Sequence, residues 1–411
     1  MTGPTSPGAL AALPDHVPAE LVTSFDYRYA PEIASDPWRF MADRTTGPEI
    51  FWSTQHGGHW VVARTELVDE VFRRHDLFSN GKVSIPAPPR PQSIPASLDP
   101  PEHGKYRKII SRHIFSPKAL GSLVDDVHTI GMELAADLAP RGECEFVADF
   151  ARPLPVSLLL RMLGLPEDVR DTLVVWVRKM FHGDSVDDAL EGYQESFAFL
   201  GRWLDDALAQ EEPDGIVLPA YRAARVDDRP LTRDEMHSMA MMLLGAGVDT
   251  VTSQMTHCMR YVAENPSARQ RLVDDPTLVP RAVEELLRRY GIANIARVVR
   301  SDMDYRGVPM RRGDLVLCST ALAGLDARTF PDPMTVDLDR PNVKDHMPFG
   351  AGPHLCPGAY LARVVLKSLL TDVLPQLPDL RIGTDAPLAH ASGMTISLDE
   401  LPLAWTAQGS R

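Results

Sequence analysis

Apolar residues recur at positions i, i+3, i+4 and i+7 throughout 101–210, and short acidic or proline-bearing turns separate the periodic stretches. This spacing puts the apolar side chains of each stretch on one helical face, so it predicts amphipathic helices that pack against one another. A further long helix is predicted from Thr232 to about Glu264. Its apolar middle, Met239–Gly247, is shorter than the ~20 residues that cross a bilayer, so it is predicted to be protein core.

The remaining segments predict a smaller β part. Ile50–Val62 is rich in aromatic and β-branched residues around a Gly57-Gly58 turn, which predicts a β-hairpin. Further strands are predicted at Ala296–Val299, Tyr305–Val308 and Leu315–Ser319, and further helices at Thr65–His75, Pro280–Tyr290 and Gly358–Gln376. No internal repeat or clean linker is visible in the sequence. The prediction is therefore a mainly α protein with a minor β region, folded as a single large domain over 1–411 with a flexible N-terminal segment, 1–20.

Charge and cysteine content exclude several classes of function. The 411 residues carry 42 Lys and Arg against 56 Asp and Glu, and the resulting formal net charge of −14 disfavours a nucleic-acid partner. The four cysteines, Cys144, Cys258, Cys318 and Cys356, are too few and too irregularly spaced for a disulfide framework or a paired-cysteine zinc site. Such cysteine usage fits a reducing cytoplasm, and no apolar stretch indicates a membrane role.

Proline is concentrated in Ile85–Ser97, at positions 86, 88, 89, 91 and 95. Proline removes a backbone donor and fixes φ, which excludes a helix interior and a central strand. The segment is predicted to be a loop, either ordered or mobile.

The sharpest motif is PFGAGPHLCPGAYLAR, Pro348–Arg363, in which a glycine-rich loop presents Cys356 just before a helix. The glycines allow a large flat molecule to approach the backbone closely. A cysteine beside a helix N-terminus is favoured as thiolate, which is a strong iron ligand. The alternatives are a buried structural cysteine and a zinc site through His354 and Cys356, for which a second ligand pair is missing.

A second motif lies within the long predicted helix, where Gly245-Ala246-Gly247-Val248-Asp249-Thr250 places two glycines, a carboxylate and a hydroxyl in apolar surroundings. Each glycine costs a helix about 1 kcal/mol relative to alanine, which indicates that something fits against the backbone there. The alternative is a close helix–helix contact with a solvent-facing Asp249. A third motif, Glu285-Leu286-Leu287-Arg288, is an i, i+3 ion pair that alone contributes only ~0.2–0.5 kcal/mol.

The three motifs, in this order, resemble the cytochrome P450 family, the haem-thiolate monooxygenases. The resemblance spans nearly the whole chain and includes DPPEHGKYRKI at Asp99–Ile109, IARVVRSD at Ile295–Asp302 and LDARTFPDPMTVDLDRP at Leu325–Pro341. Among bacterial members, LPDHVPAELV, HGGHWVVAR and GLDAR look most similar to the camphor-hydroxylase branch. Each motif alone carries a false-positive risk, whereas the combination is specific.

The resemblance implies the cytochrome P450 fold and a haem b cofactor (iron protoporphyrin IX) with Cys356 as the proximal thiolate ligand of the iron. Buried haem propionates need cationic or hydrogen-bonding partners, and arginine can hold a carboxylate with two hydrogen bonds. The positions that match the family's propionate partners are His103, Arg107, Arg297 and His354. The other implied cofactor contacts are Phe349, Gly350, Gly358 and Ala246.

The resemblance also implies roles near the haem. Asp249 and Thr250 match an acid–alcohol pair that delivers protons during oxygen activation. Glu285 and Arg288, with Arg340, match a buried structural group that supports the cysteine loop. The positions expected to line the substrate pocket are Met242, Gly245, Val248, Ala293, Met394 and Thr395.

These pocket positions are apolar or small, which favours a compact hydrophobic substrate such as a terpenoid or norisoprenoid. Camphor itself is not favoured, because Ile85–Ser97 contains no counterpart of the tyrosine that orients camphor in similar proteins. The 411 residues contain no flavin or iron–sulfur segment, so electrons are expected from a separate iron–sulfur ferredoxin and its reductase. A basic cluster is the expected docking site for the ferredoxin: Lys105, Arg107, Lys108 and Arg112. The alternative function is a non-catalytic haem protein that senses or carries a ligand.

Overall fold

The computed structural model describes residues 12–86, 92–182 and 185–407. Its helices are α1 (Pro31–Ser35), α2 (Pro37–Arg44), α3 (Thr65–Arg73), α4 (Glu102–Ile109), α5 (Pro117–Leu138), α6 (Pro153–Leu163), α7 (Arg170–His182), α8 (Val186–Ala209), α9 (Val217–Ala223), α10 (Arg233–Glu264), α11 (Pro266–Asp274), α12 (Val279–Arg289), α13 (Thr320–Gly324) and α14 (Ala359–Ser368). The helices predicted from the periodicity within 101–210 and at Thr232–Glu264 are therefore present.

Short strands form the minor β part of the fold. They are β1 (Ile50–Ser53), β2 (His59–Val62), β3 (Phe78–Ser79), β4 (Glu143–Glu145), β5 (Asn294–Val299), β6 (Met303–Tyr305), β7 (Val308–Met310), β8 (Leu315–Ser319), β9 (Arg381–Ile382), β10 (His390–Ser392), β11 (Ile396–Leu398) and β12 (Pro402–Ala404). The largest sheet has the order β1-β2-β8-β5-β3, and β2 pairs with β8 in parallel. The predicted hairpin is its β1–β2 edge, with Trp52 opposite Trp60.

One predicted strand is wrong. The segment Tyr305–Val308 is a tight turn between β6 and β7 rather than a strand. Arg306 and Gly307 both adopt positive φ, at 56° and 82°, which is the backbone that two-residue hairpin turns require. Tyrosine and valine flank the turn, and both residue types are common in strands. The sequence of the turn therefore resembles that of one continuous strand.

The long helix α10 connects the two largest core clusters. Thr232 caps its N-terminus: the Thr232 hydroxyl accepts from the Glu235 N–H at 3.2 Å, and the Glu235 carboxylate accepts from the Thr232 N–H at 2.7 Å. The N-terminal half of α10 packs with α4, α6 and α8, and its C-terminal half packs with α5, α12 and α14. The apolar stretch Met239–Gly247 thus belongs largely to the core, and no helix in the described part of the chain is long and apolar enough to cross a membrane.

The segment after the cysteine motif is helical over nearly the predicted range. Gly358 precedes α14, and a π-helical turn (Leu369–Val373) and a 3₁₀ turn (Leu374–Gln376) continue it. Val365 and Leu366 lie in the same apolar cluster as the C-terminal half of α10, and α14 packs against that helix. The cysteine motif and the glycine-bearing motif are thereby held on neighbouring helices.

Two predictions concern segments that the structure describes only in part. Residues 87–91 of the proline-rich loop lie outside the described residues, while 92–97 carry no regular helix or strand. Ile94 donates its N–H to the Ser238 hydroxyl at 3.1 Å, so this end of the loop rests on α10. In the N-terminal segment, residues 1–11 lie outside the described range. Val17, which was expected to be flexible, is buried instead. Its apolar side chain belongs to the hydrophobic cluster that contains side chains of β1 and β2.

Candidate active site

The cysteine loop is shaped by two glycines with positive φ. Gly350 and Gly352 have φ of 71° and 68°, a conformation that other residues rarely adopt. A Cβ at Gly352 would lie 2.9 Å from the Cα of Arg73 and from the carbonyl oxygen of Phe72, so only glycine fits there. The Cys356 N–H donates to the Phe349 carbonyl at 3.0 Å, which closes the loop. The backbone thus fixes Cys356 at the start of α14.

The Cys356 thiol has opposing influences on its pKa. Burial raises it, while N–H groups of Gly358 and Ala359 and the charges of Arg107 and Arg363 lower it. The net pKa is above the ordinary value, so the expected preference for thiolate does not follow from the protein groups alone. A bound metal cation at the sulfur would supply the missing positive charge, because coordinating thiols are deprotonated outright.

Four basic side chains meet beside this loop. The rings of His103 and His354 have centroids 3.9 Å apart, and Arg107 donates to the carbonyl of Leu355. Burial, followed by the charges of His103, Arg297 and Arg107, lowers the pKa of His354 to about 3. The structure therefore brings together all four predicted propionate partners.

Two arginine cations and two histidine rings with lowered pKa values give this group the features of an anion site. Arg297 is only 2% exposed, its Nη1 donates to the Ala296 carbonyl at 2.9 Å, and burial lowers its pKa to about 10. Its guanidinium lies 4.8 Å from the centre of the Phe72 ring. Within the described residues, the buried Nε2 of His354 has no hydrogen-bond partner. Buried cations and donors of this kind need a charged acceptor, and carboxylates of a prosthetic group fit the requirement.

The middle of α10 has exposed backbone. Ala246 and Gly247 are exposed although they lie in the central helix of the fold, between its two buried halves. A Cβ at Gly245 would lie 3.4 Å from Cζ of Phe181, so this glycine gives the phenyl ring room against the helix backbone. Close approach and exposure at these positions agree with the prediction that something fits against the α10 backbone.

Asp249 and Thr250 have separate partners. The Thr250 hydroxyl donates to the Ala246 carbonyl at 2.7 Å, one turn earlier in α10. Asp249 is 4% exposed, so it is not the solvent-facing carboxylate of the alternative interpretation. Its Oδ1 lies 2.6 Å from His182 Nε2, and its Oδ2 accepts from the Thr395 hydroxyl at 2.6 Å.

The other predicted pocket residues fall into two groups. Ala293 and Thr395 pair as an isolated β-bridge, and the Met394 carbonyl accepts from the Asn294 N–H at 2.9 Å. These residues therefore share one edge of the site, where Met394 is 37% exposed. On α10, Met242 is partly buried, whereas Val248 is 1% exposed and packs in the adjoining core cluster.

The third motif forms a buried ion group. Glu285 accepts two hydrogen bonds of 2.8 Å from Arg288, and Arg340 Nε lies 3.0 Å from Glu285 Oε1. Arg288 also donates to the carbonyls of Gly324, Pro333 and Thr335, which lie 36, 45 and 47 residues further along the chain. The group thus joins α12 to the irregular region that precedes the cysteine loop.

Comparison with known proteins identifies the family. A family model described as Cytochrome P450 matches residues 206–377. Probable cytochrome P450 127A1 of Sinorhizobium fredii (strain NBRC 101917 / NGR234) is 33% identical over 408 residues, which cover 96% of this chain and 97% of that protein. The chain belongs to the cytochrome P450 family. It is a cytochrome P450 monooxygenase, and its cofactor is haem b.

Two solved structures resemble this cytochrome P450 over nearly its full length. The crystal structure of cytochrome P450 CYP101C1 is 30% identical with a TM-score of 0.88, and that of CYP101J2 is 29% identical with a TM-score of 0.86. Each alignment covers 96% of this chain and 100% of the other. The predicted fold, a mainly α protein with small sheets, is confirmed, and both neighbours agree with the resemblance to the camphor-hydroxylase branch.

Two alternatives from the sequence analysis, a haem sensor or carrier and a zinc site, lose support. The non-catalytic haem sensor or carrier is not favoured in a family of monooxygenases. Across residues 12–86, 92–182 and 185–407, no group of three or more His, Cys, Asp or Glu side chains could hold a metal ion, so a zinc site has no ligand set there.

The predicted basic cluster of this cytochrome P450 is divided by its environment. Lys105 pairs with Glu102 at 2.8 Å and with Asp227 at 2.6 Å, and Arg107 faces the cysteine loop. Lys108 and Arg112 are exposed. The prediction overlooked Asp227, which lies far along the sequence and neutralises the first of the four cations.

Two residues at the site were missed by the sequence analysis or given another role. His182 was not considered, and Thr395 was expected to contact substrate but also binds Asp249. A carboxylate buried in an apolar helix needs a hydrogen-bonding partner, so Asp249 indicated that such a partner exists. The sequence could not indicate which of the 13 histidines supplies that partner.

Proposed function

We propose that Cys356 is the thiolate ligand of the haem iron and that His103, Arg107, Arg297 and His354 hold the haem propionates. The observation that carries this proposal is the group of buried and half-buried basic side chains beside the cysteine loop, where His354 Nε2 has no partner among the described residues. Two propionates would supply the anions that these groups require. Phe349, Gly350, Gly358 and Ala246 are the further contacts in this proposal.

The haem, when bound, supplies the iron chemistry by which one atom of O₂ is inserted into the substrate. The protein's own part is positioning and proton delivery. Thr250 presents a hydroxyl at the open middle of α10, and Asp249 is the neighbouring buried carboxylate. In this proposal Asp249 supplies protons and the Thr250 hydroxyl directs them into the site. Glu285, Arg288 and Arg340 hold the cysteine loop and take no part in the chemistry.

The proposed substrate is a small hydrophobic molecule, a terpenoid or norisoprenoid. Its support is the apolar character of the residues beside the open stretch of α10, which include Phe181, Met242 and Met394. Phe181 reaches over Gly245 and limits the space available, which favours a compact substrate over an extended one. Titration with terpenoids of graded size, followed by the ferric spin-state change, measures this preference. A protein that binds only large polycyclic molecules would contradict it.

The proposed electron donor is an iron–sulfur ferredoxin with its reductase. Lys108 and Arg112 are exposed on the segment that also carries Arg107, whose guanidinium contacts the cysteine loop. A basic surface at this place suits an acidic electron-transfer protein. Charge reversal, Lys108→Glu with Arg112→Glu, is expected to raise the KM for ferredoxin about tenfold or more at low salt. Arg202→Glu, at an exposed cation on α8, is the matched control and should leave that KM unchanged.

Reconstituted turnover tests the function as a whole. The purified holoenzyme, an acidic ferredoxin, its reductase and NADH are incubated with a terpenoid that changes the spin state, and oxygenated product is measured by mass spectrometry under ¹⁸O₂. The proposal predicts one ¹⁸O atom in the product. Product without label, or label only in hydrogen peroxide, would contradict it.

A further inference from the structure

His182 connects the protein surface to the buried Asp249. It is the last residue of α7, and its ring lies between two carboxylates: Nε2 is 2.6 Å from Asp249 Oδ1, and Nδ1 is 2.8 Å from Asp399 Oδ1. The Asp249 side chain is 5% exposed, His182 is 11% exposed and Asp399 is 55% exposed. These three side chains therefore form a continuous hydrogen-bonded path from solvent to the carboxylate beside Thr250.

The geometry fixes the charge of the ring. Both ring nitrogens face carboxylate oxygens, which only accept hydrogen bonds, so both nitrogens must carry a proton. A neutral imidazole has one N–H and would leave a lone pair facing a carboxylate. The position of His182 at the C-terminus of α7 also favours a cation. Burial alone would lower the pKa of His182, but the hydrogen bonds to Asp249 and Asp399 raise it to about 9.

Several charged side chains of the described residues act on this path. Asp249 faces His182 from α10, and Asp399 faces it from the turn after β11. Arg152, the residue before α6, and Arg178 of α7 interact with Asp399. Burial raises the pKa of Asp399, but His182 and the two arginines lower it below its ordinary value. Asp399 is therefore a carboxylate anion, and its half-exposed side chain is accessible to solvent.

We propose that His182 relays protons from solvent, through Asp399, to Asp249. This inference rests on the proposed role of Asp249 and Thr250 in proton delivery. The protonated ring gives its Nε2 proton to Asp249 Oδ1, which leaves neutral imidazole and a protonated carboxyl. Rotation about the Cα–Cβ and Cβ–Cγ bonds turns the bare Nε2 away from Asp249 and towards Asp399, and it reverses once Nε2 is protonated again. A solvent proton taken up by Asp399 then passes to that nitrogen, so one proton enters for each one delivered.

Thr395 keeps the receiving carboxylate in place during this transfer. Its hydroxyl donates to Asp249 Oδ2 at 2.6 Å, so the two oxygens of Asp249 have different partners. Oδ1 is thereby reserved for the proton from His182. Because His182 acts through Asp249, it is a positioning and relay residue rather than a catalytic one.

The test compares His182→Gln and Asp399→Asn with the wild-type holoenzyme. The matched control is His237→Gln, since His237 is also buried but its Nε2 binds the Phe197 carbonyl at 2.8 Å. Each variant is first characterised for haem content, for the spectrum of the reduced protein with carbon monoxide and for substrate Kd. A relay predicts that these three properties stay within about twofold of wild type, while kcat falls about ten- to a hundredfold. It also predicts a larger solvent deuterium isotope effect on kcat and more hydrogen peroxide per electron consumed.

A readout independent of turnover is the NMR titration of the His182 ring in the holoenzyme. The relay predicts an apparent pKa near 9 in the wild type and a fall towards the ordinary value of about 6.5 in Asp399→Asn. Normal coupling and an unchanged isotope effect in both variants would overturn the relay, as would equal losses of haem, substrate affinity and kcat. Asp249→Asn separates the two proposals. If Asp249→Asn uncouples turnover but His182→Gln does not, only the relay is contradicted. If neither variant uncouples turnover, the proposed role of Asp249 is contradicted as well.

Discussion

The carboxylate of Glu285 and the guanidinium of Arg288 form two hydrogen bonds of 2.8 Å at a site where neither side chain has any exposed surface. The pair lies one turn apart on α12, and Arg340 adds a second cation to the same carboxylate. Other N–H groups of Arg288 and Arg340 donate to backbone carbonyls of the irregular segment Pro331–Thr335. These hydrogen bonds hold the segment against the helix. The ion group thus organises backbone that has no regular hydrogen bonding of its own.

Removing one member of this group should destabilise the protein strongly. Arg288→Ala leaves the Glu285 charge buried with only part of its compensation, and such changes cost about 3–5 kcal/mol. Denaturant unfolding of the holoenzyme measures the effect. Arg271→Ala is the control, because Arg271 pairs with Asp339 at the surface and such pairs contribute only about 0–1 kcal/mol. Equal stabilities of the two variants would contradict the structural role.

Arg297→Leu should weaken haem retention. A charged hydrogen bond is worth about 1.5–3 kcal/mol, so the rate of haem transfer to an apoprotein acceptor is expected to rise about ten- to a hundredfold. The control is Arg311→Leu, since Arg311 pairs with Asp302 at 3.0 Å and both side chains are more than half exposed. Haem loss at the wild-type rate in Arg297→Leu would exclude Arg297 as a propionate partner.

Thr250→Ala should separate oxygen consumption from product formation. The variant loses the hydroxyl at the open middle of α10, so electrons are expected to appear increasingly as hydrogen peroxide while haem content stays normal. Thr252→Ala is a matched control on the same helix, because the Thr252 hydroxyl donates instead to the buried Ala151 carbonyl at 3.0 Å. Peroxide yield is measured per NADH oxidised. Similar yields in the two variants would show that the position of the hydroxyl does not matter.

Phe181→Ala and Gly245→Ala should change substrate size preference in opposite directions. Phe181→Ala removes the ring that covers Gly245, so larger terpenoids are expected to bind more tightly than in the wild type. Gly245→Ala places a methyl group 3.4 Å from the same ring and narrows the site, which disfavours larger ligands. Spin-state titration with a graded series gives the Kd values. A parallel shift in both variants would mean that these residues do not set the size limit.

Stability should fall as pH rises towards 9, because the pKa of His182 is raised to about 9 in the folded protein. A raised pKa means that the folded state binds the proton more tightly, so the full contribution is present below the unfolded value of about 6.5. It is lost between about pH 6.5 and 9, with a slope of up to ~1.4 kcal/mol per pH unit. His182→Gln should flatten this slope in denaturant unfolding, and the same slope in both proteins would assign it to other groups.

Local features of the sequence were sufficient to predict much of this fold. The apolar pattern of Thr232–Glu264 located α10, and a Gly57-Gly58 turn between β-branched runs located the β1–β2 hairpin. Tyr305–Val308 was wrongly predicted as a strand, because the flanking tyrosine and valine are also typical of strands. The positive φ of Arg306 and Gly307 shows that the segment is a turn. Short segments carry too little periodicity to separate these possibilities.

Contacts between distant residues were less predictable. Glu285, Arg288 and Arg340 were found through a family motif, although Arg340 lies 55 residues from Glu285. By contrast, His182 lies 67 residues from Asp249 in a segment without a motif, and Asp227 lies 122 residues from Lys105. Such partners are set by how helices pack, and the periodicity of a single helix does not encode them.

The absorption spectrum of the reduced protein with carbon monoxide tests the central proposal most directly. If Cys356 is the thiolate ligand of the haem iron, the wild type gives a strongly red-shifted Soret band, because the thiolate donates electron density to the iron. Cys356→Ser should lose this band, whereas Cys258→Ser, at a buried cysteine of α10, should keep it. A Soret band without the red shift in the wild type, or an unchanged red-shifted band in Cys356→Ser, would contradict the proposed ligand.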